Sequence, residues 1–212
     1  MASSPRIRNT LTLFSAADSV LCHRVRLVLA AKGVSFDLVL VDPSKPPADL
    51  VELNPYHTLP TLAERDLVLY SASVVGEYLD ERYPHPPLMP IDPLSRARLR
   101  LAMLRMEHDW LPQIQLIREG SKSQVEAARK RLRELLVETA PLLKVAKFFL
   151  NTELSLADCA LAPIIWRIPS TGINLPREEG KLIEDYGQRL FRSPAFARSL
   201  TAEEKALREE TA

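Results

Sequence analysis

At 212 residues, 46% hydrophobic and 26% charged, the chain is long enough for one large domain or two small ones with a buried core, and its composition excludes intrinsic disorder. The 28 Lys and Arg side chains are nearly cancelled by 27 Asp and Glu. No net field therefore holds the molecule on phosphate backbones or anionic lipid, and no direct sequence-specific DNA binding is expected; nucleic acid is reached, if at all, through another protein.

Residues 1–9 lack the apolar stretch of a signal peptide, and no run reaches the roughly 18 apolar residues of a membrane span, so a cytoplasmic location without membrane attachment is expected. Residues 10–14 are rich in β-formers and a polar bend over 15–19 leads into a helical pattern ending at Lys32 and Gly33. Leu21, Val25 and Leu29 share one face of that helix with Val28 beside it, Arg24 and Lys32 are expected to point outward, and Gly33 suits the left-handed residue after a helix. Residues 36–41 form a second strand, which completes a βαβ unit. Pro43, Pro46 and Pro47 break the chain before a short helix over 48–53. Strands over 61–63 and 67–70 make a hairpin across Glu64, Arg65 and Asp66. Val74, Val75, Tyr78 and Leu79 give the next helix its apolar stripe.

Pro84, Pro86, Pro87, Pro90 and Pro93 crowd the following stretch, a composition that neither a helix interior nor a central strand accepts. This marks a domain boundary. Beyond it Leu99, Met103, Met106 and Trp110 recur on one helix face, and Leu132, Leu135, Leu136 and Leu143 mark another. Ser155 with Asp158, Ser193 with Pro194, and Thr201 with Glu204 read as helix N-terminal caps, each contributing about 1 kcal/mol. Cys22 and Cys159 lie in different halves without metal-type spacing, and the four histidines are scattered. No disulfide framework, metal or cofactor is expected.

A βαβ unit, a ββα unit, a proline connector and a helical domain, in that order, resemble the glutathione-transferase superfamily. Asn54-Pro55-Tyr56-His57-Thr58-Leu59-Pro60-Thr61-Leu62 is similar to that family's segment ending in a cis proline, here Pro60, and Ser155-Leu156-Ala157-Asp158 is similar to its capping signature. The resemblance implies an α/β thioredoxin-like N-terminal domain over residues 1–83, a proline-rich linker over 84–92 and an all-α C-terminal domain over 93–212. Within the superfamily, residues 77–90, joined by His23 to Gly33, by Glu107, Asp109 and Trp110, and by Leu161-Ala162-Pro163 with Trp166 and Arg167, resemble a branch of bacterial factors that associate with RNA polymerase. That branch implies transcription regulation through RNA polymerase holoenzyme and its sigma factor, by a homodimer or a heterodimer with a related protein.

The superfamily's enzymes need a hydroxyl or thiol beside the glutathione sulfur at a helix N-terminus, where unpaired N–H groups favour the thiolate. The resemblance places Ser19 there, leaves the Leu59 backbone before Pro60 open to a peptide-like ligand, and puts Ser71 and Ala72 where an acidic residue and a serine hold the γ-glutamyl end. The carboxylate is absent. A charge-assisted bond contributes roughly 1.5–3 kcal/mol, so its loss weakens glutathione by one to two orders of magnitude. Ser19 therefore reads as a helix-start residue, and no residue is assigned a catalytic role. The alternative is a glutathione transferase or thiol-dependent reductase using Ser19. Cys22 has no companion cysteine and reads as a small buried residue, and Cys159 as core.

Tyr83-Pro84-His85-Pro86-Pro87 is expected to be extended and polyproline-like, preorganised for a partner at low entropic cost. A stiff connector explains the prolines but not His85, and the resemblance implies that Pro84, His85 and Pro86, beside Tyr83, form a partner-binding surface. Two basic runs, Arg96 to Arg105 and Lys122 to Arg133, read as solvated helix faces, the second expected to pair with Glu126 and Glu134 at i,i+4 spacing. Glu107, His108 and Asp109 are consecutive on a helix and cannot converge as a triad.

Overall fold

The computed structural model describes residues 8–209; the readings that fall on residues 1–7 and 210–212 lie outside that range. Strand β1 (Arg8–Ser15) leads through a turn into α1 (Val20–Lys32), and β2 (Asp37–Leu40) returns parallel to β1 with Thr12 opposite Asp37 and Ser15 opposite Leu40. A parallel pair requires such a crossover. Gly33 ends α1 at φ 65°, a conformation open to glycine without steric cost, and its N–H bonds back to the last turn.

After α2 (Ala48–Leu53) come the antiparallel strands β3 (Thr61–Arg65) and β4 (Leu67–Tyr70), giving a sheet of order β2-β1-β3-β4. The hairpin is tighter than the sequence suggests, because Glu64 pairs with Leu67 and only Arg65, at φ 55°, and Asp66 turn the chain. In α3 (Ala72–Arg82) the buried stripe is Ala72, Val75, Gly76 and Leu79; Val74, expected in it, is half exposed.

The second domain is helical: α4 (Pro93–Arg105), a π-helical turn over Met106–Trp110, α5 (Leu111–Glu119), α6 (Lys122–Thr139), α7 (Leu156–Thr171), α8 (Arg177–Phe191), α9 (Pro194–Ser199) and α10 (Ala202–Glu209). Leu99, Met103, Met106, Trp110, Leu132, Leu135, Leu136 and Leu143 are all buried, as their spacing requires. The three caps form as read. Ser155 and Asp158 make a capping box, Ser193 Oγ accepts the Phe196 N–H with Pro194 in the first turn, and Thr201 and Glu204 bond reciprocally. Helix α7 is buried along nearly its whole length, and α1 packs against α3, α7 and α9.

That packing overturns the expectation for Arg24 and Lys32, which are both buried rather than outward. Enclosed between α3 and the helices of the second domain, α1 has no solvent face there, so its charges must be paired. Arg24 Nη1 meets Glu107, carried inward on the π-helical turn, and Nη2 reaches Ser73. Lys32 meets Asp80 of α3.

A third cluster ties the domains together. Glu204, fully buried, accepts both terminal bonds of Arg26 Nη2 at 2.7 Å and one from Arg167 at 2.6 Å. Arg26 also donates to Ser199 O, and Arg167 to Asp18 at 2.9 Å. His23 Nε2 lies 2.9 Å from Ser199 Oγ. Burial first, then the charges of Arg167 and Arg26, hold the His23 pKa well below its ordinary value. The folded chain keeps His23 neutral, whereas the unfolded chain takes up a proton below about pH 6.5. The unfolded state then binds more protons, so stability should fall as pH drops through that point, by up to about 1.4 kcal/mol per pH unit. Urea unfolding between pH 7.5 and 5.5 measures this; an equal decline in His23→Gln would assign the effect to other groups.

Candidate functional site

Two surfaces carry the residues singled out in the sequence. The first is one end of the sheet. Thr61, the first residue of β3, pairs with Phe14 of β1 on one side and Tyr70 of β4 on the other. The residues flanking those three positions, the β1–α1 turn with Ser19, the Leu59–Pro60 pair and Ser71, are therefore brought to the same corner. The Leu59–Pro60 peptide bond is cis, as the motif implies. No hydrogen bond of the Leu59 main chain is found among the described residues, which leaves it able to pair with an extended peptide.

Ser19 caps α1, its Oγ accepting the Cys22 N–H at 3.4 Å. The hydroxyl proton stays uncommitted. Ser71 caps α3 at φ 151°, outside the common regions for an L-residue, and its Oγ accepts the Val74 N–H at 3.5 Å. Ala72 follows it, buried, so neither position offers a carboxylate to a ligand ammonium. Cys22 lies behind the corner with no surface exposed, its Sγ accepting the Ala16 N–H at 3.3 Å, and burial pushes its thiol pKa up. A neutral thiol in such a setting is a poor nucleophile. Cys159 is buried and raised for the same reason.

The second surface is the connection between α3 and α4. Pro84, His85, Pro86 and Pro87 are exposed, while Tyr83 is half-buried against the core with the Arg82 guanidinium 5.4 Å from its ring centre. The segment is not the continuous polyproline-like rod expected, since the His85–Pro86 bond is cis and the chain bends there. Immediately after it Leu88 and Met89 plunge into the core. The bend is held from beneath. Lys32 Nζ donates to Asp80 Oδ1 and to the Pro86 carbonyl, Asp80 Oδ1 accepts the Leu88 N–H at 2.7 Å, and the Leu88 carbonyl accepts the Leu156 N–H at 2.8 Å. His85 makes no hydrogen bond among the described residues, so both ring nitrogens are unspent.

Lys32 and Asp80 are the residues that inspection of the sequence missed. They lie 48 positions apart, and on a helical wheel each looks like an ordinary solvated charge. Only the burial of both helices shows that they support the ridge. The basic runs are partly spent on contacts within the fold. Arg100 makes a paired contact with Glu77 at 2.8 and 2.6 Å, and Arg129 and Arg133 donate to the carbonyls of Thr171 and Asn174. Within α6 the ion pair found is Arg131 with Glu134 at i,i+3, not the i,i+4 pairs expected. Among the described residues no group of three or more His, Cys, Asp and Glu side chains is placed to hold a metal, and no helix is long and apolar enough to cross a membrane.

Residues 18–82 match the glutathione S-transferase N-terminal domain and residues 94–194 the C-terminal domain. The stringent starvation protein A homolog of Pasteurella multocida is 44% identical, covering 94% of either chain, and that of Coxiella burnetii is 43% identical over 95% of this chain and 97% of its own. Among solved structures, a Tau class glutathione S-transferase from mango superposes with a TM-score of 0.81 at 21% identity, covering 96% of this chain and 98% of its own. A glutathione S-transferase from Rhodospirillum rubrum gives 0.81 at 23% identity, covering 90% and 92%.

Proposed function

We infer the function from one premise: the chain belongs to the glutathione S-transferase family, within its stringent starvation protein A group. On that footing it is an RNA polymerase-associated regulator of transcription, and the surface it offers to the polymerase holoenzyme and sigma factor is Tyr83, Pro84, His85 and Pro86. The observation that carries this reading is the exposed Pro84–Pro86 ridge held from below by buried Lys32 and Asp80. A ridge already ordered before contact loses little entropy on docking, and an unpaired imidazole at its crest adds a directional donor and acceptor. The working form is a dimer, of this chain with itself or with a relative. Leu101 and Leu104 of α4, exposed on a groove of about 420 Å³, and the exposed Val74 of α3 support a second subunit there.

The second reading, a glutathione transferase or thiol-dependent reductase, draws on the uncommitted Ser19 hydroxyl and the unpaired Leu59 main chain. Against it stands the missing carboxylate at Ser71 and Ala72, without which a ligand ammonium is left unmatched. One experiment separates the two. The purified chain, mixed with RNA polymerase holoenzyme, is expected to co-elute with it on size exclusion and to pass through immobilised glutathione without retention. Elution apart from the polymerase, together with tight glutathione retention that Ser19→Ala abolishes, reverses the assignment.

A further inference from the structure

A cavity of about 280 Å³ lies within the second domain between α7, α8 and α10, and its walls include no residue of the Leu59 and Ser71 corner or of the Pro84–Pro86 ridge. We propose that this cavity binds a small, neutral aromatic molecule of two fused rings.

The cavity is built by residues that withhold atoms. Pro169, inside α7, has no N–H to give the Ile165 carbonyl one turn earlier. Arg208 of α10 supplies the donor instead, Nη2 to Ile165 O at 3.3 Å, with Nε on Trp166 O at 3.1 Å, and so closes one side of the space. Gly187 lets α8 come against α7. A Cβ there would stand 3.0 Å from Ile165 Cγ2 and 2.9 Å from the Phe191 ring, so the missing atom makes room for that ring, which forms part of the wall. Gly180 is a further wall residue, and a Cβ on it would lie 3.3 Å from Leu175 Cβ, crowding the opposite side.

The chemistry of the wall selects the occupant. Ile165, Ile168 and Ile183 are buried behind the space, and Ile173, Leu175 and Phe191 are its partly buried sides. The charged residues of the wall, Glu184 and Arg208, cancel. They also feel each other, since Glu184 opposes the fall that burial imposes on the Arg208 pKa. The guanidinium is committed to its two carbonyls and lies 4.5 and 4.8 Å from the Trp166 and Phe191 ring centres, so it acts as a wall and not as an anchor. An ionic ligand would lose its water and gain no net field in return, which favours a neutral one. A cavity of about 150 Å³ lined by similar side chains is filled by a single benzene ring; the present volume is nearly twice that and takes two fused rings. Phe191, in edge contact with Trp166 at 4.9 Å between ring centres, offers a flat guest an aromatic neighbour.

The test is titration calorimetry on the full chain with indole and, at the same ionic strength, indole-3-acetate. Indole is expected to bind saturably, one per chain, with Kd on the order of 0.1–1 mM, and the acetate at least about tenfold more weakly. Ile173→Trp, which fills the cavity from the loop before α8, should weaken indole about tenfold or more; Leu175→Phe is the second filling variant should the first not fold, and a melting curve of each shows that it does. Two controls should leave indole binding unchanged: Ile91→Ala, at an exposed position on the connection between the domains, and Ile117→Trp, in the separate cavity beside the β1–α1 turn. The measurement involves neither polymerase nor glutathione, so it stands apart from the functional reading above. No saturable heat with indole, parental affinity in the folded filling variants, loss of binding in Ile117→Trp, or acetate binding as tight as indole would each overturn the assignment.

Discussion

Glu204→Ala is expected to destabilise the chain by about 3–5 kcal/mol, the cost of leaving a buried charge without its partner. The size follows from the geometry: Glu204 has no exposed surface and is the common anion for Arg26 and Arg167, themselves almost wholly buried. Removing it strands the Arg26 guanidinium where water does not reach and leaves Arg167 to Asp18. It also removes the acceptor for the Thr201 N–H at 3.1 Å, one half of the cap on α10, which adds about 1 kcal/mol. Against a total stability of about 5–15 kcal/mol, the melting temperature should fall by on the order of 10 °C or more. Glu204→Gln keeps the shape and part of the bonding and should lie between. Urea unfolding of the three proteins decides it, and a Glu204→Ala variant within about 1 kcal/mol of the parent would show that Arg26 and Arg167 find other partners.

Replacing Pro84 and His85 by alanine should do the opposite, sparing the fold and removing the interaction. Both side chains are exposed and neither contributes a side-chain bond to the interior, so the stability cost is confined to the backbone freedom that a proline withholds from the unfolded chain, about 0.4–1 kcal/mol. Pro86 is left in place because its carbonyl is the acceptor for Lys32. If the ridge is the docking surface, losing its crest should cost at least about 2 kcal/mol of binding, a thirtyfold or greater rise in Kd for polymerase holoenzyme. Asp80→Ala is the informative companion. It leaves Lys32 unpaired in the interior and releases the Leu88 N–H, so it should weaken both stability and association. Wild-type affinity in the Pro84→Ala/His85→Ala protein would take the ridge out of the mechanism.

Much of this molecule is legible in one dimension because the relevant physics is local. Helix caps at Ser155, Ser193 and Thr201 concern residues three positions apart, the buried rows at Leu99 to Trp110 follow from helical period, and the cis bond at Pro60 belongs to a motif of nine consecutive residues. The candidate positions Ser19, Leu59, Pro60 and Ser71 were accessible through the family resemblance, whose motifs assign them, while their gathering at one corner follows from the strand ends.

By itself, then, the sequence determined the order of elements, their caps and buried faces, the family they compose and the residues of the two candidate surfaces. Tertiary structure alone decided the fate of the charges. Arg24 and Lys32 read as outward-facing, and nothing local marks Arg26, Asp80, Arg167 and Glu204 as buried partners, until α1 is seen enclosed between α3 and the second domain. The reason is physical: whether a charge lies in water or must find a partner depends on what packs over it, and those partners stand 48 to 178 residues away along the chain, where no local pattern records them.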